Sequence, residues 1–238
     1  GRQVPCFEET LLLGRRVGVV QANGYVLSAI GYAARLSGTP ESAALVVADA
    51  VERFSELKDD LALAQALHQA GCIHRDVGDH DAAGQSLSQA RSLRLGLGDH
   101  RGELLTEINI ALLQAMSGEP ALGLATARRC LSAFESAGDR VGVGATLTIL
   151  GAIELDSGEL RAAREMYARA ADSLAPWRRH VGWQWLMVAE LSNELADPQR
   201  AGRESAKAAA IFDRTGAVIA AHRLAALRVL GPVGMQGR

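Results

Sequence analysis

The sequence predicts an all-α fold: an α-solenoid of about five helical hairpins, with a period of about forty residues and flanking helices. The first observation is a pair, glycine followed by a polar residue, that recurs at steps of forty: Gly38-Thr39, Gly78-Asp79, Gly118-Glu119 and Gly158-Glu159. The second is a set of small residues with the same step: Gly31, Gly71, Ala111 and Gly151, then Ala50, Ala90, Cys130 and Ala170. Small side chains at matched places let helices approach closely, so each period is expected to be a packed helix pair.

A periodicity of 3.6 residues places the individual helices along the chain. The predicted helices are 3–14, 21–37, 41–56, 61–77, 81–96, 101–117, 120–136, 141–157, 160–174, 180–196, 198–213 and 217–230. The links between them carry stop and start signals, such as Gly118-Glu119-Pro120 and Ala196-Asp197-Pro198. Glycine ends a helix in left-handed geometry, and proline is tolerated in a first helical turn.

Four segments are expected along the chain. Residues 1–20 are interpreted as the second helix of a truncated preceding repeat, 21–215 as the repeat array, 216–230 as a C-terminal capping helix and 231–238 as a linker. The chain begins with glycine rather than methionine, so we expect it to be a piece of a longer protein. Because each unit of a solenoid buries its apolar face only against its neighbours, the array is expected to form one domain.

Composition excludes several classes of function. The net charge is −2 with both signs mixed along every unit, so this chain is not expected to bind nucleic acid directly. No apolar run approaches the roughly 20 residues that span a bilayer, and no membrane contact is expected. Three well-separated cysteines, Cys6, Cys72 and Cys130, favour free thiols in a reducing compartment, which indicates a cytoplasmic protein.

The sequence shows no motif for catalysis, so we expect no enzyme, no cofactor and no metal. Neither lysine lies in a phosphate-binding loop, and the glycine-rich run 142–146 opens a repeat helix without a preceding strand. His68 and Cys72 are one helical turn apart and could share a zinc ion, but two side chains make only half of a tetrahedral site. Ordinary helix packing is the favoured interpretation of this pair. No nucleophile, base and orienting residue are recognisable together in the sequence.

The units resemble a known repeat family. The segment 67–74, followed by Gly78-Asp79, Ala83, Leu87 and Ala90, resembles the tetratricopeptide repeat in its longer, forty-residue variety. The resemblance covers almost the whole chain, although His74, Gln114 and Glu154 stand where that family has a large aromatic residue. The segments 95–102 and 134–142 further resemble the repeats of large bacterial LuxR-type signal-transducing ATPase regulators, in which a helix-turn-helix follows the array.

The resemblance implies a concave groove lined by the first helix of each unit. The candidate groove residues are Tyr25, Ser28, Tyr32, Arg35, Gln65, His68, Arg75, Asn109 and Trp185. Arginines and a histidine among aromatic rings suit a peptide or an acidic ligand, and these side chains are expected to contribute little to folding. Tyr25 and Tyr32 could instead pack on the preceding helix. Trp185, with Trp177 and Trp183, could form a ligand pocket or fill a wider turn between units.

These inferences together predict a non-catalytic protein-interaction or ligand-sensing repeat domain of a bacterial LuxR-type transcriptional regulator. A protein, a peptide or a small-molecule effector would bind in the groove, and DNA would be bound only through a C-terminal domain outside this chain. The sequence leaves open whether the chain forms a homo-oligomer. The alternative is the scaffold or repeat region of a signalling enzyme such as a cyclase or kinase.

Overall fold

The computed structural model describes residues 40–174 and 178–215. Within these two ranges the chain forms helices and no strand, which confirms the all-α fold class. The helices are α1 (Pro40–Glu56), α2 (Asp60–Asp76), α3 (His80–Gly96), α4 (His100–Met116), α5 (Pro120–Ser136), α6 (Arg140–Asp156), α7 (Leu160–Leu174), α8 (Arg178–Glu194) and α9 (Pro198–Thr215). Each begins and ends within two residues of its predicted bounds. The predicted helices 3–14, 21–37 and 217–230 lie outside the described residues, as do segments 1–20, 216–230 and 231–238.

Successive helices follow a step of twenty residues, half the period read from the sequence. Helices α1 to α6 have 17 residues each, and three-residue links separate them. In these links Gly78, Gly98, Gly118, Gly138 and Gly158 have positive φ between 67° and 91°. The left-handed conformation turns the chain out of the helix, and glycine adopts it without strain. Each forty-residue period of the sequence therefore contains two helices, and a left-handed turn of the same type follows each of them.

The link between α2 and α3 shows how a helix is closed and the next one opened. After α2, the Asp79 amide donates to the His74 carbonyl (2.9 Å) and the Gly78 amide to the Arg75 carbonyl (3.0 Å), the bond pair of a Schellman motif. The Asp79 side chain then accepts from the Ala82 amide (3.0 Å) and caps α3. Four more aspartates cap in the same way: Asp59, Asp99, Asp139 and Asp197.

The chain divides into two compact units, Gly1–Leu113 and Gln114–Arg238, with the boundary inside α4. In the first unit, small residues form the helix contacts, as the sequence predicts: Ala43, Ala50, Ala83 and Ala90 are fully buried. A Cβ atom built on Gly71 of α2 would lie 2.5 Å from Leu87 Cγ of α3. These two helices therefore cross at a distance that only glycine permits at this position.

The second unit repeats this packing with larger side chains toward its C-terminal end. A Cβ atom built on Gly151 of α6 would lie 3.1 Å from the ring of Tyr167 on α7, and burial raises the pKa of Tyr167 to about 12. Leu186 of α8 packs with Ala208 and Phe212 of α9. None of the helices in the described part of the chain is long and apolar enough to cross a membrane.

Candidate functional site

The structure brings four of the predicted groove residues together in the first unit. Gln65, His68 and Arg75 lie on α2, and Asn109 lies on α4, the first helices of two consecutive hairpins. Trp185 lies on α8 of the second unit. The remaining candidates, Tyr25, Ser28, Tyr32 and Arg35, lie outside the described residues.

Arg75 and Asn109 connect α2 to α4. The Arg75 guanidinium donates from Nη1 to Asn109 Oδ1 (2.9 Å) and from Nη2 and Nε to Asp76 Oδ1 (2.9 and 3.2 Å). Asn109 Nδ2 donates to the Leu105 carbonyl (2.9 Å), which fixes the orientation of the amide. Arg75 is only 6% exposed. Its charge is thus engaged within the chain, so we expect Arg75 to contribute more to folding than the sequence analysis predicts.

Arg94 of α3, a residue absent from the sequence prediction, also takes part in these polar contacts. It is 4% exposed and donates from Nη2 to Gln65 Oε1 (2.7 Å) and from Nη1 to Thr106 Oγ1 (3.0 Å). Burial lowers the pKa of Arg94, while the charges of Asp99 and then of Cys72 act in the opposite direction. The guanidinium holds Gln65 and Thr106 in fixed positions, since buried donors require partners.

Thr106 of α4 sets the orientation of His68. Its hydroxyl donates to the Gly102 carbonyl (3.0 Å), so Oγ1 is left to accept from the Nδ1–H of His68 (3.2 Å). This hydrogen-bond pattern assigns the proton of the neutral ring to Nδ1. Nε2 then lies 3.9 Å from Cys72 Sγ, and the single thiol proton of Cys72 is donated to Asn109 Oδ1 (3.4 Å).

We call these seven side chains the α2–α4 polar cluster: Gln65, His68, Cys72, Arg75, Arg94, Thr106 and Asn109. Sequence reasoning missed Arg94 because it lies on the second helix of its hairpin, which the family resemblance does not place in the groove. A signal for Thr106 was present: Gly102 and Thr106 recur forty residues later as Gly142 and Thr146. In both pairs the hydroxyl donates to the glycine carbonyl one turn earlier.

Trp185 lies in a packed environment in the second unit. Its half-buried ring lies against the apolar clusters that contain Val188 and Leu186. Lys207 Nζ lies 3.9 Å from its ring centroid and 2.9 Å from Glu204 Oε2. Trp183 makes an edge-to-face contact with Phe212 at 5.4 Å between centroids. The aromatic residues of α8 thus pack against α9, and Lys207 supplies the cation–π contact; Trp177 lies outside the described residues.

The α2–α4 polar cluster contains few side chains that could bind a metal ion. No group of three or more His, Cys, Asp or Glu side chains within residues 40–174 and 178–215 is arranged to hold a metal ion. His68 and Cys72 supply only half of the ligands that a tetrahedral zinc site needs. Two buried arginines in the same cluster also disfavour a cation on electrostatic grounds.

The paired helices and their glycine-aspartate links define a tetratricopeptide-like α-solenoid fold. Three solved structures share it. BtubC (BKLC) of P. vanneervenii aligns over 91% of this chain and 92% of its own length, with a TM-score of 0.61 and 16% identity. Aspartyl phosphate phosphatase F of Bacillus subtilis aligns over 92% of this chain, with a TM-score of 0.66 and 14% identity, and this chain spans 59% of it.

The third is a putative kinesin light chain of Podosopora anserina with nearly identical TPR-like repeats. It aligns over 79% of this chain and 94% of its own length, with a TM-score of 0.50 and 12% identity. The structural alignments show that these proteins share a common fold with this chain. At 12–16% sequence identity, they do not indicate a shared function. No protein-family model and no curated protein matches this sequence.

Proposed function

We propose that this chain is a non-catalytic protein-interaction module that binds a peptide segment on the first-unit face formed by α2 and α4. The observation that carries the proposal is the α2–α4 polar cluster. Polar side chains from the first helices of two consecutive hairpins meet there, and internal hydrogen bonds hold each in one orientation. A site whose side chains are already fixed loses little conformational entropy when a ligand binds.

The chemistry of this face suits the backbone and polar side chains of a peptide. Gln65 is exposed, whereas His68 and Asn109 are half-buried. Amide and imidazole groups both donate and accept hydrogen bonds, as peptide groups do. Arg75 and Arg94 hold Asn109 and Gln65 in place through their hydrogen bonds. Tyr25, Ser28, Tyr32 and Arg35 remain proposed parts of the same groove.

The test is selection of binders from a displayed library of random peptides, with affinities of the selected peptides measured by calorimetry. We expect Gln65→Ala combined with Asn109→Ala to weaken binding by about tenfold or more, the loss of one to two hydrogen bonds. Gln85→Ala is the matched control, because Gln85 is exposed on α3, the second helix of its hairpin. Selected peptides that bind the double variant as tightly as the parent chain would refute the proposed site.

We further propose that the module belongs to a cytoplasmic bacterial transcriptional regulator of the LuxR type. The support is the sequence resemblance of segments 95–102 and 134–142. A bound protein, peptide or effector would then alter how the array acts on an ATPase or DNA-binding part outside this chain. The coding sequence on either side tests this. A phosphate-binding loop upstream and a helix-turn-helix downstream would support it, whereas a cyclase or kinase signature would replace it with a signalling-enzyme scaffold.

A further inference from the structure

The α2–α4 polar cluster contains a nucleophile, a base and a residue that orients the base. Cys72 Sγ lies 3.9 Å from His68 Nε2, and His68 Nδ1 lies 3.2 Å from Thr106 Oγ1. Because the Thr106 hydroxyl donates to the Gly102 carbonyl, it accepts from Nδ1–H and leaves the lone pair of Nε2 facing the thiol. A thiol beside an oriented imidazole is the arrangement that activates cysteine nucleophiles.

Two guanidinium groups belong to the same cluster as the Cys72 thiol. Arg75 Nη1 and Cys72 Sγ both donate to Asn109 Oδ1, at 2.9 and 3.4 Å. The Arg75 guanidinium and the Cys72 thiol thus share one acceptor, and Arg75 is also paired with Asp76; the buried Arg94, near Asp99, belongs to the same cluster. Cations near a cysteine stabilise the thiolate, which is the reactive form.

We propose that Cys72 is a peroxide-reactive thiol, activated by His68, and therefore a site of reversible oxidation by hydroperoxides. The S–H bond of Cys72 rotates from Asn109 Oδ1 toward His68 Nε2, His68 takes the proton, and the thiolate attacks the terminal oxygen of the hydroperoxide. The S–O bond forms as the O–O bond breaks, and the departing oxygen receives the proton from His68. The products are the Cys72 sulfenic acid and water or an alcohol, so sulfur is oxidised by two electrons and the peroxide is reduced. Cys72 is 7% exposed, an opening that suits a small oxidant.

The protein contains its own control for this reaction. Cys130 is also on a helix and fully buried, but it lies on α5 and has no histidine one helical turn before or after it in the sequence. The test treats the native chain and the urea-unfolded chain with hydrogen peroxide and dimedone, and quantifies dimedone adducts at each cysteine by peptide mass spectrometry. We expect Cys72 to react about tenfold faster in the native chain than in urea, and Cys130 to react more slowly in the native chain.

Comparison with the unfolded chain separates activation from mere accessibility, because exposure alone cannot make a thiol faster than in the unfolded state. Native Cys72 that reacts no faster than in urea overturns the proposal. His68→Asn removes the base and is expected to bring Cys72 to or below its unfolded rate, while Cys130 keeps its native protection as evidence of folding. An unchanged rate at Cys72 in folded His68→Asn would also overturn the role of the imidazole. Neither result depends on peptide binding.

Discussion

At the scale of single residues, Gly71 decides how closely α2 approaches α3. A Cβ atom there would lie 2.5 and 2.8 Å from Cγ and Cδ2 of Leu87. Leu87 is fully buried, so its side chain has no space into which it can move. We expect Gly71→Ala to lower the free energy of unfolding by about 1–3 kcal/mol through overpacking.

Gly96→Ala is the control for this prediction. Gly96 ends α3, and a Cβ atom added there would have no neighbouring atom within 4 Å. Alanine also favours the helix more than glycine does. Urea unfolding should therefore show equal or higher stability for this variant. If both variants lose stability alike, the contact between Gly71 and Leu87 is not what the substitution disturbs.

Arg75 is a second residue at which stability depends on one side chain. Arg75→Ala removes a charge-assisted donor from Asn109 Oδ1 and the ion pair with Asp76. We expect a loss of about 1.5–3 kcal/mol in the free energy of unfolding. Arg161→Ala, an exposed position on α7, should change it by less than about 0.5 kcal/mol. Equal melting temperatures for the two variants would show that Arg75 serves a ligand and not the fold.

At the scale of helices, the links explain both the regularity of the array and its exceptions. Glu119 precedes α5 at the position that Asp59, Asp79, Asp99 and Asp139 occupy before α2, α3, α4 and α6, and its side chain makes no cap hydrogen bond. The longer glutamate does not reach the first-turn amides in the way that aspartate does. We expect Glu119→Asp to stabilise the chain by about 0.5–1 kcal/mol in urea unfolding, and Glu119→Ala to change little. No gain from aspartate would mean that the cap geometry differs at α5.

Ala196 occupies the left-handed position that Gly118, Gly138 and Gly158 take in three earlier links, with φ of 55°. Left-handed backbone costs an alanine roughly 1 kcal/mol. Ala196→Gly should therefore raise the free energy of unfolding by about 0.5–1 kcal/mol, and Gly158→Ala, at φ of 79°, should lower it by a similar amount. The two variants measured by thermal unfolding should shift the melting temperature in opposite directions. Shifts of the same sign would contradict the assignment of strain to this position.

Much of the element structure could be predicted from the sequence because its signals are local. The glycine, aspartate and proline residues of the links act on their own turns, so helix bounds follow within two residues. The small residues at Ala83, Ala90 and Ala163 also follow, because their spacing alone indicates a close crossing. The step of twenty residues also follows, since the predicted helices begin about every twenty residues, although Lys58 and Ala196 stand where other links have glycine.

The site was less predictable because its contacts join distant parts of the chain. His68 meets Thr106 and Arg75 meets Asn109, pairs that are 38 and 34 residues apart. Helical spacing shows which residues share a face of one helix but not which side chain from another helix meets them. Whether Arg75 offers its charge to a ligand or to Asn109 and Asp76 depends on those contacts.

At the scale of the whole molecule, the forty-residue hairpin is the structural repeat, although each helix occupies a step of twenty. First and second helices are not interchangeable. The first helices α2 and α6 carry Gly71 and Gly151. The second helices α3 and α7 carry Leu87 and Tyr167, which pack against these glycines. In such arrays stability sums over units and their neighbouring contacts, so a whole unit can be added but half a unit cannot.

Duplication within the second unit tests the hairpin repeat most directly. One variant repeats residues 119–158 after Gly158, which adds a hairpin of forty residues, and the other repeats residues 139–158, which adds one helix of twenty. Helical circular dichroism and urea unfolding should show the forty-residue variant cooperative and at least as stable as the parent chain. The twenty-residue variant should lose stability, because it places a first helix where a second is required. Equal stability of both variants, or loss of cooperative folding in the longer one, would contradict the hairpin repeat.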